Sequence, residues 1–187
     1  MARQFSLFTA ALLGAMLLTG CATQPSQQST ILDRRTPGTV IDDELIEIRG
    51  VQAFFQDKAI NEQTHINVTS YNGIILLSGE APTEALKQRA TTLVSNIEKV
   101  RQVYNEVRAA APSTLGVRGS DAYLSAKVKT ALFAHGNVPA HLIKVVTENS
   151  TVFLMGLTTR AEADAATNVA RKIGGVQRVV KLFEYIR

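Results

Sequence analysis

The chain has a single cysteine, no tryptophan and few other aromatic residues. One cysteine excludes a disulfide within the chain, so the folded part must be stable through packing alone. The scarcity of aromatic side chains indicates a largely aliphatic core. A bilayer-spanning helix needs about 20 apolar residues. The apolar stretch over residues 5–18 is shorter than that.

The first residues have the order of a secretory signal peptide, in which Arg3 precedes the apolar stretch and small residues follow it. Cys21 comes directly after Leu-Thr-Gly, which resembles a bacterial lipobox. That resemblance implies cleavage of residues 1–20 and acylation of Cys21 as a lipid anchor. Ala22, where inner-membrane lipoproteins carry Asp, favours the outer membrane. The alternatives are an uncleaved anchor and an ordinary signal peptide with an incidental cysteine.

The charges divide the chain into two unlike halves. Residues 42–107 hold ten acidic and six basic residues, whereas residues 120–187 hold five acidic and nine basic residues. The second half is therefore expected to favour anionic surfaces and the first half to avoid them. The alternative is that the two halves attract each other. No nucleic-acid partner is expected, because the signal peptide directs the chain to export.

Two segments look like connections. Residues 21–41 are rich in Gln, Ser, Thr and Pro and predict a lipid-anchored tether, since such residues bury little apolar surface. Twenty flexible residues reach on the order of 25 Å. The section 33–41, which contains Pro and Gly, is expected to lie against the first domain. Residues 108–119 are small and rich in helix breakers, which predicts an interdomain linker.

An internal repeat defines the domain organisation. Asn72-Gly-Ile-Ile-Leu-Leu-Ser-Gly79 aligns with Asn149-Ser-Thr-Val-Phe-Leu-Met-Gly156 at an offset of 77 residues. Upstream, residues 43–55 align with residues 121–133. A period of this length is too long for a solenoid unit. It predicts two small tandem domains, at residues 42–107 and 120–187.

Each copy predicts the element order α-β-β-α-β in an α+β fold. The acidic run Asp42-Asp43-Glu44 and the pair Ser120-Asp121 are expected to cap the first helix of each copy. Asn72-Gly73 is a strong hairpin signal, because both residues tolerate positive φ. Each domain should therefore be a three-stranded mixed sheet with two helices packed on one face.

The mid-domain glycines Gly79 and Gly156 and the pattern Gly175-Val176-Gln-Arg-Val179 resemble the BON domain. Two copies behind a lipobox resemble the dual-BON outer-membrane lipoproteins of Gram-negative bacteria. The resemblance implies binding of anionic phospholipid (phosphatidylglycerol or cardiolipin) and a role in envelope integrity, with an association with the division site. In copy one, Glu98-Lys99 replaces a Gly-Gly pair, so lipid binding is expected of the second domain.

A binding surface is predicted on the first helix of the second domain, expected from Asp121 to His135. At 100° per residue, one stripe faces the core; it is Leu124, Val128, Ala131 and Leu132. The side chains that flank this stripe are the predicted phospholipid-binding residues; they are Tyr123, Lys127, Lys129, Thr130 and Phe133. A tyrosine ring suits a bilayer interface. The alternative is that the aromatics pack on the neighbouring domain.

No pattern indicates catalysis or a cofactor. The three histidines, His65, His135 and His141, lack the spacing of zinc ligands, and the glycines form no phosphate-binding motif. Two hypotheses follow, both non-enzymatic. One is a lipid-binding module. The other is a protein-interaction adaptor that docks an outer-membrane assembly or peptidoglycan-remodelling partner.

Overall fold

The structure is a computed structural model that describes residues 33–187, and these form one compact unit. The predicted signal peptide, Cys21 and the tether as far as residue 32 lie outside the described residues. The described range contains two successive copies of helices packed on a mixed sheet. The predicted α+β class is confirmed.

The first copy contains α1 (Pro37–Gln56), α2 (Lys58–Gln63), β1 (His65–Tyr71), β2 (Ile74–Ala81), α3 (Glu84–Ser95), β3 (Gln102–Asn105) and β4 (Arg108–Ala109). The second copy contains α4 (Leu115–Ala134), a 3-10 turn (Ala140–Leu142), β5 (Lys144–Glu148), β6 (Thr151–Thr158), α5 (Arg160–Arg171) and β7 (Arg178–Tyr185). The short helix α2 and the short strand β4 are additions to the predicted order.

Both long helices begin earlier than predicted. The hydroxyl of Thr36 accepts a hydrogen bond from the Thr39 amide at 3.1 Å, and Pro37 occupies the first turn, where its missing N–H costs nothing. Residues 37–41, predicted as tether, are therefore helical. Residues 115–119, predicted as linker, form the first turn of α4. Their glycines suggested a break, but a glycine near a helix end is tolerated.

The two sheets share one topology in their three main strands. The first sheet differs from the three-stranded prediction, because β4 also pairs parallel with β2 and makes a fourth strand. In the order β1-β2-β3 and β5-β6-β7, the middle strand pairs antiparallel with the strand before it and parallel with the last strand. Asn72 and Gly73 have φ of 54° and 72°, and Asn149 and Ser150 have φ of 47° and 60°. The predicted turn at Asn72-Gly73 and its counterpart in the repeat, Asn149-Ser150, therefore both have the left-handed backbone that a two-residue hairpin requires.

Side-chain alternation along β2 and β6 divides the core into three apolar clusters. Ile75 and Leu77 point to the helices of the first copy, and Val152 and Leu154 to those of the second. The opposite faces of the two sheets meet in a third cluster, formed by Tyr71, Ile74, Leu76, Phe153, Met155 and Leu182. The domains therefore pack sheet against sheet, with the helices on the two outer layers.

Polar contacts surround this third cluster. Lys144 donates a hydrogen bond to Glu47 at 2.6 Å and another to the Ser70 carbonyl at 3.2 Å. Asn67 donates to Glu148 at 3.2 Å. A base of the second copy thus meets an acid of the first. These contacts support the alternative in which the oppositely charged halves attract each other.

Candidate functional site

The predicted binding residues lie on α4, which is fixed to its domain along one side. Leu124, Val128 and Leu132 are buried against the sheet and α5, and Ala131 is half-buried beside them. The predicted core stripe of this helix is therefore confirmed. The other side of α4 carries the candidate site and faces solvent.

A buried carboxylate holds each long helix to its hairpin. Asp121 accepts hydrogen bonds from the amides of Asn149 and Ser150 at 2.7 and 2.9 Å. Asp43 does the same for the Asn72 and Gly73 amides at 2.7 and 2.8 Å. The prediction that these acids cap the helix starts is wrong, because both helices begin about six residues earlier. They instead satisfy turn amides that would otherwise be buried without a partner.

Tyr123 and Lys127 form a pair on the exposed side of α4. The Tyr123 side chain is 69% exposed. The Lys127 ammonium lies 5.6 Å from the centroid of the Tyr123 ring and donates a hydrogen bond to the Gly174 carbonyl at 3.1 Å. The carbonyl and the ring hold the cation beside the aromatic face. The pair therefore presents an apolar ring and a positive charge together.

The remaining predicted residues are spread along and around α4. Phe133 is 67% exposed and lies ten residues beyond Tyr123, about 15 Å along the helix axis. Lys129 is exposed on the flank that faces the first domain. The hydroxyl of Thr130 donates to the Ala126 carbonyl at 2.9 Å, so it is already occupied. The alternative that the aromatics pack between the domains is wrong, since the sheets make that contact.

A groove between α1 and α4 was not predicted, because its walls are about 85 residues apart in sequence. Its volume is about 260 Å³, and Glu44 and Lys129 line it from the two helices. At its base, Arg35 pairs with Asp43 at 2.9 Å and lies 3.9 Å from the centroid of the Tyr71 ring. The groove therefore holds charges of both signs, and the two helices flank one surface.

A second cavity at the domain interface contains a perturbed acid. It has a volume of about 300 Å³ and is lined by Glu148 with His65 and Arg118 nearby. Burial raises the pKa of the Glu148 carboxyl to about 7, and the neighbouring Glu80 carboxylate contributes to the same shift. Near neutral pH this carboxyl is thus partly protonated inside the interface.

A cleft between α5 and β7 is the other basic feature of the second domain. It has a volume of about 550 Å³ and is lined by Arg171, Arg178 and Lys181. Two of these cations have acidic partners, since Arg178 pairs with Glu106 at 3.5 Å and Lys181 with Asp164 at 3.4 Å. The cleft has no exposed aromatic side chain among its lining residues, so it lacks the ring-and-cation pair of α4.

The outer face of α1 is a further surface that the sequence analysis missed. Five large apolar side chains there are exposed, and they are Ile41, Leu45, Ile48, Val51 and Phe55. Helical spacing in the sequence does not single them out, because α1 has apolar residues on its buried side as well, such as Ile46 and Phe54. Between residues 33 and 187, no helix is long and apolar enough to cross a bilayer. The same range contains no group of three potential metal-binding side chains.

The chain belongs to the BON domain family, whose pattern matches residues 43–111 and 120–187. It is a dual BON-domain outer-membrane lipoprotein, as its relatives indicate. It is 38% identical over 183 residues to outer membrane lipoprotein DolP of Haemophilus influenzae, covering 95% of each chain. It is also 38% identical over 156 residues to the 21 kDa hemolysin of Actinobacillus pleuropneumoniae, covering 83% of this chain and 80% of that protein. The predicted family and outer-membrane localisation are confirmed.

Among solved structures, the chain is similar to the C-terminal domain of CdsD, a structural protein of the type III secretion system of Chlamydia trachomatis. The match covers 82% of this chain and 100% of that chain at 14% identity, with a TM-score of 0.32. A likeness this distant carries no functional argument.

Proposed function

We propose that the protein is a non-enzymatic outer-membrane lipoprotein whose second BON domain binds anionic phospholipid through α4. The ligand class is phosphatidylglycerol or cardiolipin, and the contact residues are Tyr123, Lys127, Lys129, Thr130 and Phe133. The observation that carries the proposal is that two aromatic rings, 69% and 67% exposed, and two lysines all lie on the side of α4 that does not pack on the core. Thr130 offers no free hydrogen-bond donor to the lipid, because its hydroxyl already donates to the Ala126 carbonyl within α4. Its contribution is the outer surface of the side chain.

The chemistry of these side chains suits the interface of a bilayer. Tyrosine combines an apolar ring with a polar tip and is enriched at the headgroup level. Each basic residue near an anionic surface contributes about 1 kcal/mol, so Lys127 and Lys129 give weak attraction that salt screens. Binding through α4 alone is therefore reversible.

Reversible binding suits a protein that is already anchored. Acylation of Cys21, with the domains on the periplasmic side, supplies stable attachment through its acyl chains. The role of α4 is then to set where the anchored protein lies in the plane of the membrane. It draws the protein to regions rich in anionic headgroups. Support of envelope integrity, including at the division site, follows from that placement.

Vesicle co-sedimentation of the chain from Asp33 to Arg187, which is one compact unit, tests the proposal. Zwitterionic vesicles are compared with vesicles rich in phosphatidylglycerol, at low and moderate salt. Tyr123→Ala and Lys127→Glu are each expected to abolish most of the binding to anionic vesicles. Both positions are outside the buried core, so folding should be preserved.

Two matched variants control this experiment. Tyr185→Ala removes another exposed tyrosine of the same domain, and Lys172→Glu makes the same charge change at the end of α5. Both are expected to bind like the unchanged chain. Equal loss in all four variants contradicts a site on α4. Absence of binding to either vesicle type contradicts the lipid proposal and favours the protein-interaction adaptor.

A further inference from the structure

The exposed apolar side chains of α1 form one continuous stripe. On a helical wheel, Ile41, Leu45, Val51 and Phe55 fall within about 60° on either side of Ile48. Each of the five is between 42% and 73% exposed. The opposite side of the helix packs on its own domain, and its buried residues are Asp43, Ile46, Gly50 and Phe54. The other side of α1 already packs on the core of its own domain. An exposed apolar stripe of this size therefore indicates contact with something apolar outside the domain.

The acidic residues of α1 do not oppose such a contact. Asp42 pairs with Lys99 at 2.8 Å, Asp43 is buried, and Glu47 pairs with Lys144 of the second domain. Within the arc of the stripe the polar residues are Gln52 and Glu44, and Glu44 lines the groove that also contains Lys129. Glu44 is thus the one acidic residue of α1 inside the arc, and Lys129 lines the groove across from it.

The chain itself brings this helix to a bilayer. Twelve residue steps separate Cys21 from Asp33, and α1 begins four residues later. A fully extended chain rises at most about 3.6 Å per residue, so twelve steps span no more than about 43 Å. α1 is the first described element after the anchor position, and α4 lies across the groove from it.

We propose that the outer face of α1 is a second membrane-contact surface, seated in the interface of the bilayer that holds the anchor. This inference rests on the proposed acylation of Cys21. A helix with an apolar stripe lies in the interfacial plane with that stripe buried at the headgroup boundary. The contact is apolar, so it does not depend on anionic lipid or on salt, unlike the contact of α4.

The main competing occupant is a second copy of the chain. Five side chains per partner are far fewer than the roughly 20–30 residues per partner of a stable interface. The bilayer needs no such area, because the acyl anchor already supplies the attachment. The area of the stripe therefore favours lipid.

Site-specific fluorescence on the acylated, full mature chain tests the inference. Cys21 is the only cysteine, so once it is acylated an introduced cysteine is the only free thiol. A polarity-sensitive label is placed at Ile48→Cys on the stripe. The control label is placed at Gln102→Cys, an exposed position in β3, which is at the edge of the same domain's sheet opposite β1. A label at Tyr123→Cys reports on α4. Vesicles carry nitroxide lipids and are zwitterionic or rich in phosphatidylglycerol.

The Ile48→Cys label is expected to lose most of its fluorescence to nitroxide lipid in both vesicle types and at high salt, while the Gln102→Cys label keeps its signal. Equal quenching at the two positions overturns the inference. Energy transfer between donor- and acceptor-labelled Ile48→Cys chains, without lipid quenching, also overturns it and identifies a second copy as the occupant. The Tyr123→Cys label separates the two proposals. If it stays unquenched in anionic vesicles, the proposed site on α4 is contradicted. The contact of α1 is tested independently by quenching of the Ile48→Cys label.

Discussion

Arg101 of the first domain donates two hydrogen bonds to Glu184 of the second, at 2.9 and 3.1 Å. A reciprocal pair joins Arg178 to Glu106 at 3.5 Å. Arg101 and Glu106 flank the two ends of β3, and Arg178 and Glu184 lie at the two ends of β7. In both pairs, therefore, the base at the start of one strand meets the acid at the end of the other. β3 and β7 therefore run in opposite directions across the interface, as in an approximate two-fold arrangement of two similar partners.

These surface ion pairs are expected to contribute less to docking than the apolar cluster between the sheets. Phe153→Ala should lower the free energy of unfolding by about 3–5 kcal/mol, because it removes a buried ring and leaves a cavity. Glu184→Gln should lower it by no more than about 1 kcal/mol, since its partner is half exposed. Urea unfolding of the chain from Asp33 measures both. A larger effect of Glu184→Gln than of Phe153→Ala would contradict this ranking.

Gly79 is expected to tolerate no side chain. Its φ is +116°, and a Cβ there would overlap the carbonyl oxygen of His65 on the paired strand. Gly79→Ala should therefore destabilise the first domain by about 2 kcal/mol or more. Gly136→Ala is the matched control, because a Cβ at that position meets no atom within 4 Å. Thermal unfolding compares the two variants, and equal melting temperatures would refute the close approach.

The buried carboxyl of Glu148 predicts a pH-dependent term in stability. Its pKa is raised from 4.5 to about 7, so folding takes up a proton between those values. The free energy of unfolding should fall as pH rises from about 4.5 to about 7, and the loss is complete above that range. One pKa unit corresponds to about 1.4 kcal/mol, so the full effect is a few kcal/mol at most.

The neutral substitution Glu148→Gln isolates this effect from nearby groups. His65 acts in the opposite direction, because burial lowers its pKa, and Glu80, Asp121 and Arg118 also surround the site. We expect the variant to gain stability relative to the unchanged chain as pH rises from 5 to 8. Chemical unfolding across that pH range measures the difference. A constant difference at all pH values would show that Glu148 titrates normally.

Lateral placement in cells should depend on the charge of α4. Lys127→Glu combined with Lys129→Glu is expected to scatter a localised fluorescent fusion while the protein remains in the outer-membrane fraction, because the anchor is untouched. Arg171→Glu combined with Lys172→Glu makes the same charge change beside the cleft between α5 and β7. That control should keep its localisation. If only the control variant lost its localisation, the result would contradict a site on α4 and would place the lipid-binding site at the cleft.

Much of the fold followed from local patterns. The repeat, the Asn72-Gly73 turn and the alternation along β2 and β6 each depend on neighbouring residues, and the structure has them as expected. The core stripe of α4 followed from helical spacing in the same way. The starts of the long helices were less predictable. Thr36 and Pro37, which begin α1, are residue types typical of a flexible tether. The glycines near Leu115, at the start of α4, are typical of a linker.

What the sequence did not reveal depends on tertiary contacts. Asp43 and Asp121 are acids near predicted helix starts, and nothing local indicates that they reach hairpin turns about 30 residues away. The groove between α1 and α4 exists because the two sheets pack together. The exposed stripe of α1 became visible only when burial separated its two apolar faces, one around Ile46 and the other around Ile48.

Nuclear magnetic resonance of the chain from Asp33, titrated with lipid bicelles, tests the central claim most directly. Amide shifts are compared between zwitterionic bicelles and bicelles that contain phosphatidylglycerol. The account predicts that shifts which require the anionic lipid cluster on α4 around Tyr123, Lys127 and Phe133, while any shifts on α1 are the same in both lipids. Anionic-lipid shifts centred on the cleft around Arg171 and Lys181, or none at all, would contradict it.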